Sequence, residues 1–182
     1  MQTDLSHFSN KWYRPGSALK RIAWYYCNTI IFKTGLFPFS GFKIFLLRSF
    51  GSKIGSGVLI KPYVNIKYPW FLSIGNHTWI GEHVWIDNLA PVDIGSNVCI
   101  SQGAFLLTGN HDFTKKSFDL MIKGISIEDG VWIGAKSIIC PGVRCKNHSV
   151  LSVGSVAVSD LEPYSIYKGS FAVKVKERII NE

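Results

Sequence analysis

The chain has 182 residues, 47% hydrophobic, 18% charged and 14% aromatic, with a formal net charge of +8. That balance excludes a disordered chain and suits one domain with a small appendage, long enough to bury a core. The charge excess sits at one end: residues 1–53 carry eight Lys or Arg against one acid, Asp4, and the remainder is nearly balanced.

Residues 1–53 are expected to form a basic, aromatic-rich helical segment. Ser17 is placed to N-cap a helix that begins Ala18-Leu-Lys-Arg-Ile-Ala-Trp24, and a second helix is predicted from about Ser40 to Phe50. The longest apolar run, residues 22–32, is broken by Asn28 and Thr29 and is shorter than the roughly 20 residues that span a bilayer. No small-residue cleavage site follows it, so the segment reads as retained and the protein as cytoplasmic. Two compatible roles are open. One is a cap over the end of the repeat that follows, which is favoured; the other is peripheral contact with the inner membrane face. A nucleic-acid partner is not expected.

From Ile54 an aliphatic residue returns every six positions. The series is Ile54, Ile60, Ile66; then, after two extra residues, Ile74, Ile80, Ile86; after two more, Ile94, Ile100, Leu106; and after a long interruption, Ile127, Ile133, Ile139, Cys145, Leu151, Ala157. Thirteen of these fifteen are Ile or Leu, and four places later twelve of fifteen positions are Val, Ala, Ser or Thr. One large inward residue and one small residue per hexad fit a prism with three flat sides. A sandwich would alternate polar with apolar residues, and a helix is disfavoured by so much Val, Ile, Thr and Gly. The expectation is an all-β fold, a parallel β-helix of about five coils over residues 54–162, followed by a tail at 163–182. Gly55, Gly75, Gly81, Gly95 and Gly134 are read as relaxing the corners, and Trp70, Trp79, Trp85 and Trp132 as lying at or near them.

A regular solenoid has no chemical reason to interrupt itself, so the break at residues 107–126 is the informative part. His111 sits near its root, flanked by polar residues, and an imidazole there could take a proton from an attacking hydroxyl. The loop's aromatic and aliphatic residues suggest packing against a neighbouring subunit. Cys27, Cys99, Cys140 and Cys145 show no CxxC spacing and read as reduced thiols. His77 and His83, six apart, fall on successive sides of the prism, so no metal is expected. His7 and His148 read as surface residues without partners.

Taken together, Ile94-Gly-Ser-Asn-Val-Cys-Ile-Ser-Gln-Gly103, Thr108-Gly-Asn-His-Asp112 and Ile127-Glu-Asp-Gly-Val-Trp-Ile-Gly-Ala135 resemble the hexapeptide-repeat acetyltransferases of the galactoside, maltose and nodulation-factor branch. Leu46-Leu-Arg-Ser-Phe-Gly-Ser-Lys-Ile-Gly55 and Trp85-Ile-Asp-Asn-Leu-Ala-Pro-Val-Asp-Ile-Gly95 are similar to the colanic-acid-biosynthesis sub-branch. The likeness covers nearly the whole chain. It implies a left-handed β-helix, a homotrimer with active sites between subunits, and acetyl transfer from acetyl-CoA to a sugar hydroxyl in exopolysaccharide, capsule or lipopolysaccharide synthesis. His111 would be the general base. Asp87, Asn88 and Asp112 would meet the acceptor, and Trp132, Ala135 and Val153 would line the acetyl-CoA site. The family's phosphate-contacting Lys is replaced here by Ser159, and Gly169-Ser-Phe-Ala172 stands for the usual Gly-Asn-Pro-Ala; Lys174, with Lys168 and Lys176, could supply the charge. An amine acceptor, a covalent acetyl-cysteine route, zinc chemistry and an inactive sugar-binding module are the competing readings.

Overall fold

The computed structural model describes residues 2 and 4–180; Met1 and Thr3 of the N-terminal segment and Asn181 and Glu182 of the tail lie outside the described residues. The middle of the chain is a parallel solenoid with three faces. The first face stacks Lys53–Ile54, Leu72–Ile74, Val92–Ile94, Ile125–Ile127 and Arg144–Cys145. The second stacks Leu59–Ile60, Trp79–Ile80, Cys99–Ile100, Trp132–Ile133, Val150–Leu151 and Ser165–Lys168. The third stacks Asn65–Ile66, Trp85–Asp87, Phe105–Leu107, Ile138–Ile139 and Val156–Ala157. All fifteen aliphatic positions of the hexads are buried, and so are the twelve small residues four places after them. Inside such a stack each coil hydrogen-bonds only to its neighbours, so an end coil exposes unpaired backbone.

A sixth turn begins beyond the expected five. Leu161 bridges to Cys145 on the first face, and Ser165–Lys168 extends the second. Val173–Glu177 then closes that face antiparallel.

The glycines do different work from the one expected. The left-handed backbone falls three places after the inward residue, at Gly57, Gly103, Gly130, Gly142 and Gly154 but also at Tyr63, His77, His83, Asn97, Lys136, His148 and Tyr164. Glycines directly after the inward residue have ordinary φ. There the coils come too close for a side chain: a Cβ on Gly134 would lie 2.7 Å from the carbonyl carbon of Ser152. The non-glycine corners are braced by stacking, Tyr63 on His83 at 4.7 Å and His148 on Tyr164 at 4.9 Å, so His148 does have a partner. His7 has one too, in Asp4 at 2.8 Å. Trp79, Trp85 and Trp132 lie within strands, pointing outward from flat faces rather than at corners; Trp70 sits in a short 3-10 turn, Pro69–Phe71.

The N-terminal segment packs on the open end of the solenoid. Helix α1 (Ala18–Cys27), N-capped by the Ser17 hydroxyl, continues into a wide π turn (Asn28–Phe32), and α2 (Ser40–Ser49) follows. Its side chains take up the open edge of every face. Arg48 donates to the Ile54 carbonyl at 2.7 Å. Ser40 accepts from Ile60 N at 3.0 Å, and buried Lys43 donates to the Lys61 carbonyl at 2.9 Å. Trp24 Nε1 donates to the Ile66 carbonyl at 2.8 Å, and Asn28 accepts from Ile66 N at 3.3 Å. These bonds replace the coil that is not there.

Candidate active site

The extra residues all fall at one corner, between the third face and the first. Two successive coils are widened there at residues 67–71 and 87–91, and the third carries the long break. That break is not an irregular loop. Gly109–His111 pairs antiparallel with Leu120–Ile122, so His111 sits at the end of a hairpin. The tip is braced internally. Asp112 accepts from the Thr114 hydroxyl at 2.6 Å, and Asp119 accepts from Lys115 at 3.0 Å and Ser117 at 2.8 Å. These hydrogen bonds hold both carboxyls below their ordinary range. Asp112, expected at the acceptor, is thus engaged in shaping the hairpin.

His111 is half-buried. Its ring lies parallel to Phe118, centroids 4.4 Å apart, with Phe8 of the N-terminal arm 5.7 Å away. Its Nδ1 is 2.9 Å from the Phe118 carbonyl oxygen. A carbonyl only accepts, so in the neutral ring Nδ1 carries the proton and Nε2 keeps its lone pair. Phe118 takes a left-handed φ of 52° to aim that carbonyl, an uncommon conformation for an aromatic residue. An oriented imidazole with a basic nitrogen free is what a general base requires.

Asp87 lies one coil away, its Cα paired with Leu107, and the Thr108 hydroxyl donates to its backbone carbonyl at 2.8 Å. Its carboxylate faces a cavity of 660 Å³ between α1 and the third face. Oδ1 is shut off from water, 2.9 Å from Lys67 Nζ, and makes no well-angled hydrogen bond. Asn88, its expected partner, is fully buried, and its amide is spent on Tyr68: it accepts from Tyr68 N at 2.9 Å and donates to Tyr68 O at 2.6 Å. The reading of Asn88 as an acceptor contact is therefore corrected. It is a rung between coils.

Ala135 and Val153 lie elsewhere, at the corner between the second and third faces, with Trp132 on the second face just before that corner. Trp132 is exposed, its Nε1 donating to the Ser101 hydroxyl at 2.9 Å. At the corner between the first and second faces, the backbone N–H groups of Ser56, Asn76, Ser96, Asp129 and Asn147 each meet a side-chain acceptor from the adjoining coil. At this corner Glu82, Gln102, Ala135 and Val153 occupy the same register, and among the described residues their N–H groups find no acceptor. A column of open donors results, one signal that side-chain reading could not have found. Lys174 is not among them. It stands opposite Tyr167, whose ring is buried at the end of the prism, and pairs with Glu177; Lys176, opposite Ile166, shares the outward row of Trp132 and Val150.

The four thiols are free, and burial pushes those of Cys27, Cys140 and Cys145 above the ordinary range, which leaves little thiolate for a covalent route. Among the described residues no three His, Cys, Asp or Glu side chains converge.

No family model matches the chain. A protein of Escherichia coli named for colanic acid biosynthesis, acetyltransferase WcaF, is 34% identical over 98% of this chain and 99% of its own length. The galactoside O-acetyltransferase of the same organism is 28% identical over 68% of this chain and 63% of its own. A hexapeptide-repeat acetyltransferase of Vibrio cholerae, solved with acetyl-CoA, superposes with a TM-score of 0.81 at 24% identity, covering 92% of this chain and 93% of that one. The three-faced solenoid, its single hairpin insertion and the full-length similarity agree: the chain belongs to the hexapeptide-repeat acetyltransferase family and is an acetyltransferase.

Proposed function

We propose that this enzyme transfers the acetyl group of acetyl-CoA to a hydroxyl of a sugar during assembly of a cell-surface polysaccharide, on the cytoplasmic side of the membrane and as a homotrimer. The observation that carries the reading is His111 with Nδ1 tied to the Phe118 carbonyl and Nε2 left basic. Nε2 removes the hydroxyl proton as the oxygen attacks the thioester carbonyl. The carbon–sulfur bond then breaks, and the leaving thiolate recovers the proton from the imidazolium. The open N–H groups of Ala135 and Val153 suit the amide-bearing arm of the cofactor, with Trp132 alongside.

In one chain His111 and that column occupy different corners, which favours a site completed by a second subunit. The outward rows fit such an assembly: Leu59, Trp79 and Trp132 on the second face are exposed, whereas Lys53, Ser73, Asp93, Ser126 and Arg144 make the first face polar. Incubation with acetyl-CoA and a panel of monosaccharides and their nucleotide-linked forms is expected to release free thiol with at least one sugar. The acetylated product is expected to lose its acetyl group to neutral hydroxylamine, as an ester does and an amide does not. A hydroxylamine-stable product would convert the reading to amine acylation, and a monomer by sedimentation would remove the inter-subunit site.

Among the described residues no helix is long and apolar enough to cross a membrane. The cap nonetheless turns Leu19, Ile30, Leu36, Phe39 and Phe45 outward on a basic segment, which fits peripheral contact with anionic lipid. Co-sedimentation with phosphatidylglycerol vesicles is expected at low salt and to be reversed by about 0.5 M NaCl, where charges are screened beyond a few ångströms. Absence of sedimentation at low salt would end that part of the reading.

A further inference from the structure

The cap anchors itself through Trp24, Asn28, Ser40, Lys43 and Arg48, yet it also brings cations that none of that anchoring uses. The 660 Å³ cavity between α1 and the third face is lined by Arg21, Lys33 and Lys67, with Asp87 as its one acid. Lys67 is matched by Asp87 at 2.9 Å. Among the described residues the side chains of Arg21 and Lys33 make no ion pair and no hydrogen bond within the chain. On its other side Arg21 lines a second cavity, of 620 Å³, with Lys11 and Arg14 and, among the described residues, no acid. Cations left without a partner on one cavity raise its positive potential and attract a group of opposite sign.

The rest of the cavity has a different character. Tyr25, Tyr26 and Trp85 give it flat apolar walls, and Trp85 is steadied by Phe105 stacked on it at 4.6 Å. Flat rings beside a carboxylate suit a sugar, whose CH faces are apolar and whose hydroxyls donate. A volume of 660 Å³ holds a saccharide. Asp87, in the cavity lining, is joined to the residue that precedes the hairpin, its carbonyl receiving the Thr108 hydroxyl at 2.8 Å.

We propose that the acceptor is a saccharide joined to a diphosphate, its sugar at Trp85 and Asp87 in the cleft between α1 and the third face and its phosphates at Arg21 and Lys33. The assignment rests on the acetyl-transfer reading for its purpose, though not for its test. A guanidinium engages phosphate oxygens in a two-pronged, charge-assisted manner, and the cations of the second cavity continue the path outward. The diphosphate could bear a nucleoside or a polyprenyl chain; the site chemistry is shared.

The test is calorimetric titration of the full chain with coenzyme A saturating, so that the cofactor's own diphosphate site is filled. The probes are uridine diphosphate galactose, farnesyl diphosphate and free galactose. At least one diphosphate probe is expected to bind at least about tenfold more tightly than galactose, and Arg21→Ala with Lys33→Ala to weaken it by at least about tenfold. Preference for the first probe identifies a nucleotide source, and preference for the second a lipid source. Lys33→Gln, at an exposed position after α1, replaces the double variant if that variant melts early, with a loss of about threefold expected. Equal binding of all three probes, or variants that retain the wild-type affinity, would overturn the assignment. His111→Ala is expected to bind the probes as the wild type does, so failure of the chemistry and failure of this site are read separately.

Discussion

His111→Ala is expected to lower kcat by at least about a hundredfold, the usual worth of a positioned general base, while the solenoid stays folded. The ring is held by three contacts that leave Nε2 free: the Phe118 carbonyl on Nδ1 at 2.9 Å, the parallel face of Phe118 at 4.4 Å, and Phe8 at 5.7 Å. None of these is needed for the hairpin itself, whose pairing of Gly109 with Ile122 and Asn110 with Met121 is through the backbone. The loss should therefore appear in kcat with little change in the KM for acetyl-CoA, because the interaction removed exists only as the proton moves. Steady-state rates, with circular dichroism and a melting curve as controls, check this. A variant within about threefold of the wild-type rate would remove His111 from the mechanism and leave the oriented imidazole without a role.

How much of this was legible in the sequence depended on whether geometry forced the residue type. The inward column was legible because only an aliphatic side chain fills the axis of a triangular prism, coil after coil. The small residue four places on was legible for the same reason. The sixth turn was not: Leu161 comes four residues after Ala157 instead of six, and that shift of phase hides the continuation to Tyr167. Corners were misread because their left-handed backbone is held at Tyr63, His83 and His148 by stacking between coils, a contact that sequence spacing does not announce. At the site, His111 stood out through the break in the repeat. Asp87 and Asn88 could not be separated, since adjacent residues at a widened corner have no fixed parity; the structure turns one to the cavity and the other to Tyr68. Lys174 and Lys176 could not be told apart for a simpler reason. Alternation along Val173–Glu177 decides which lysine faces outward, and the strand itself was not foreseen.

The second large effect is expected at Trp24. Trp24→Ala should destabilise the protein by about 3–5 kcal/mol, the range for emptying an aromatic site in a core. For a chain of this length that lowers the melting temperature by roughly 6–20 °C. The ring is 2% exposed and packs edgewise on Phe50 at 5.1 Å and tilted on Phe32 at 5.2 Å. Its Nε1 also supplies the donor that the Ile66 carbonyl would receive from a preceding coil. Trp24→Phe separates these two contributions: it refills most of the volume and removes the N–H, so its loss should be nearer the 1–3 kcal/mol of an orphaned buried acceptor. Thermal melts of both variants beside wild type check the order. A cap that merely rested on the solenoid as a membrane foot would give the opposite pattern, with vesicle binding altered and the melting temperature unmoved. The bonds from Arg48, Ser40, Lys43, Asn28 and Trp24 to all three open edges argue that the first coil depends on the cap for its backbone partners, so loosening Trp24 should fray the stack from that end.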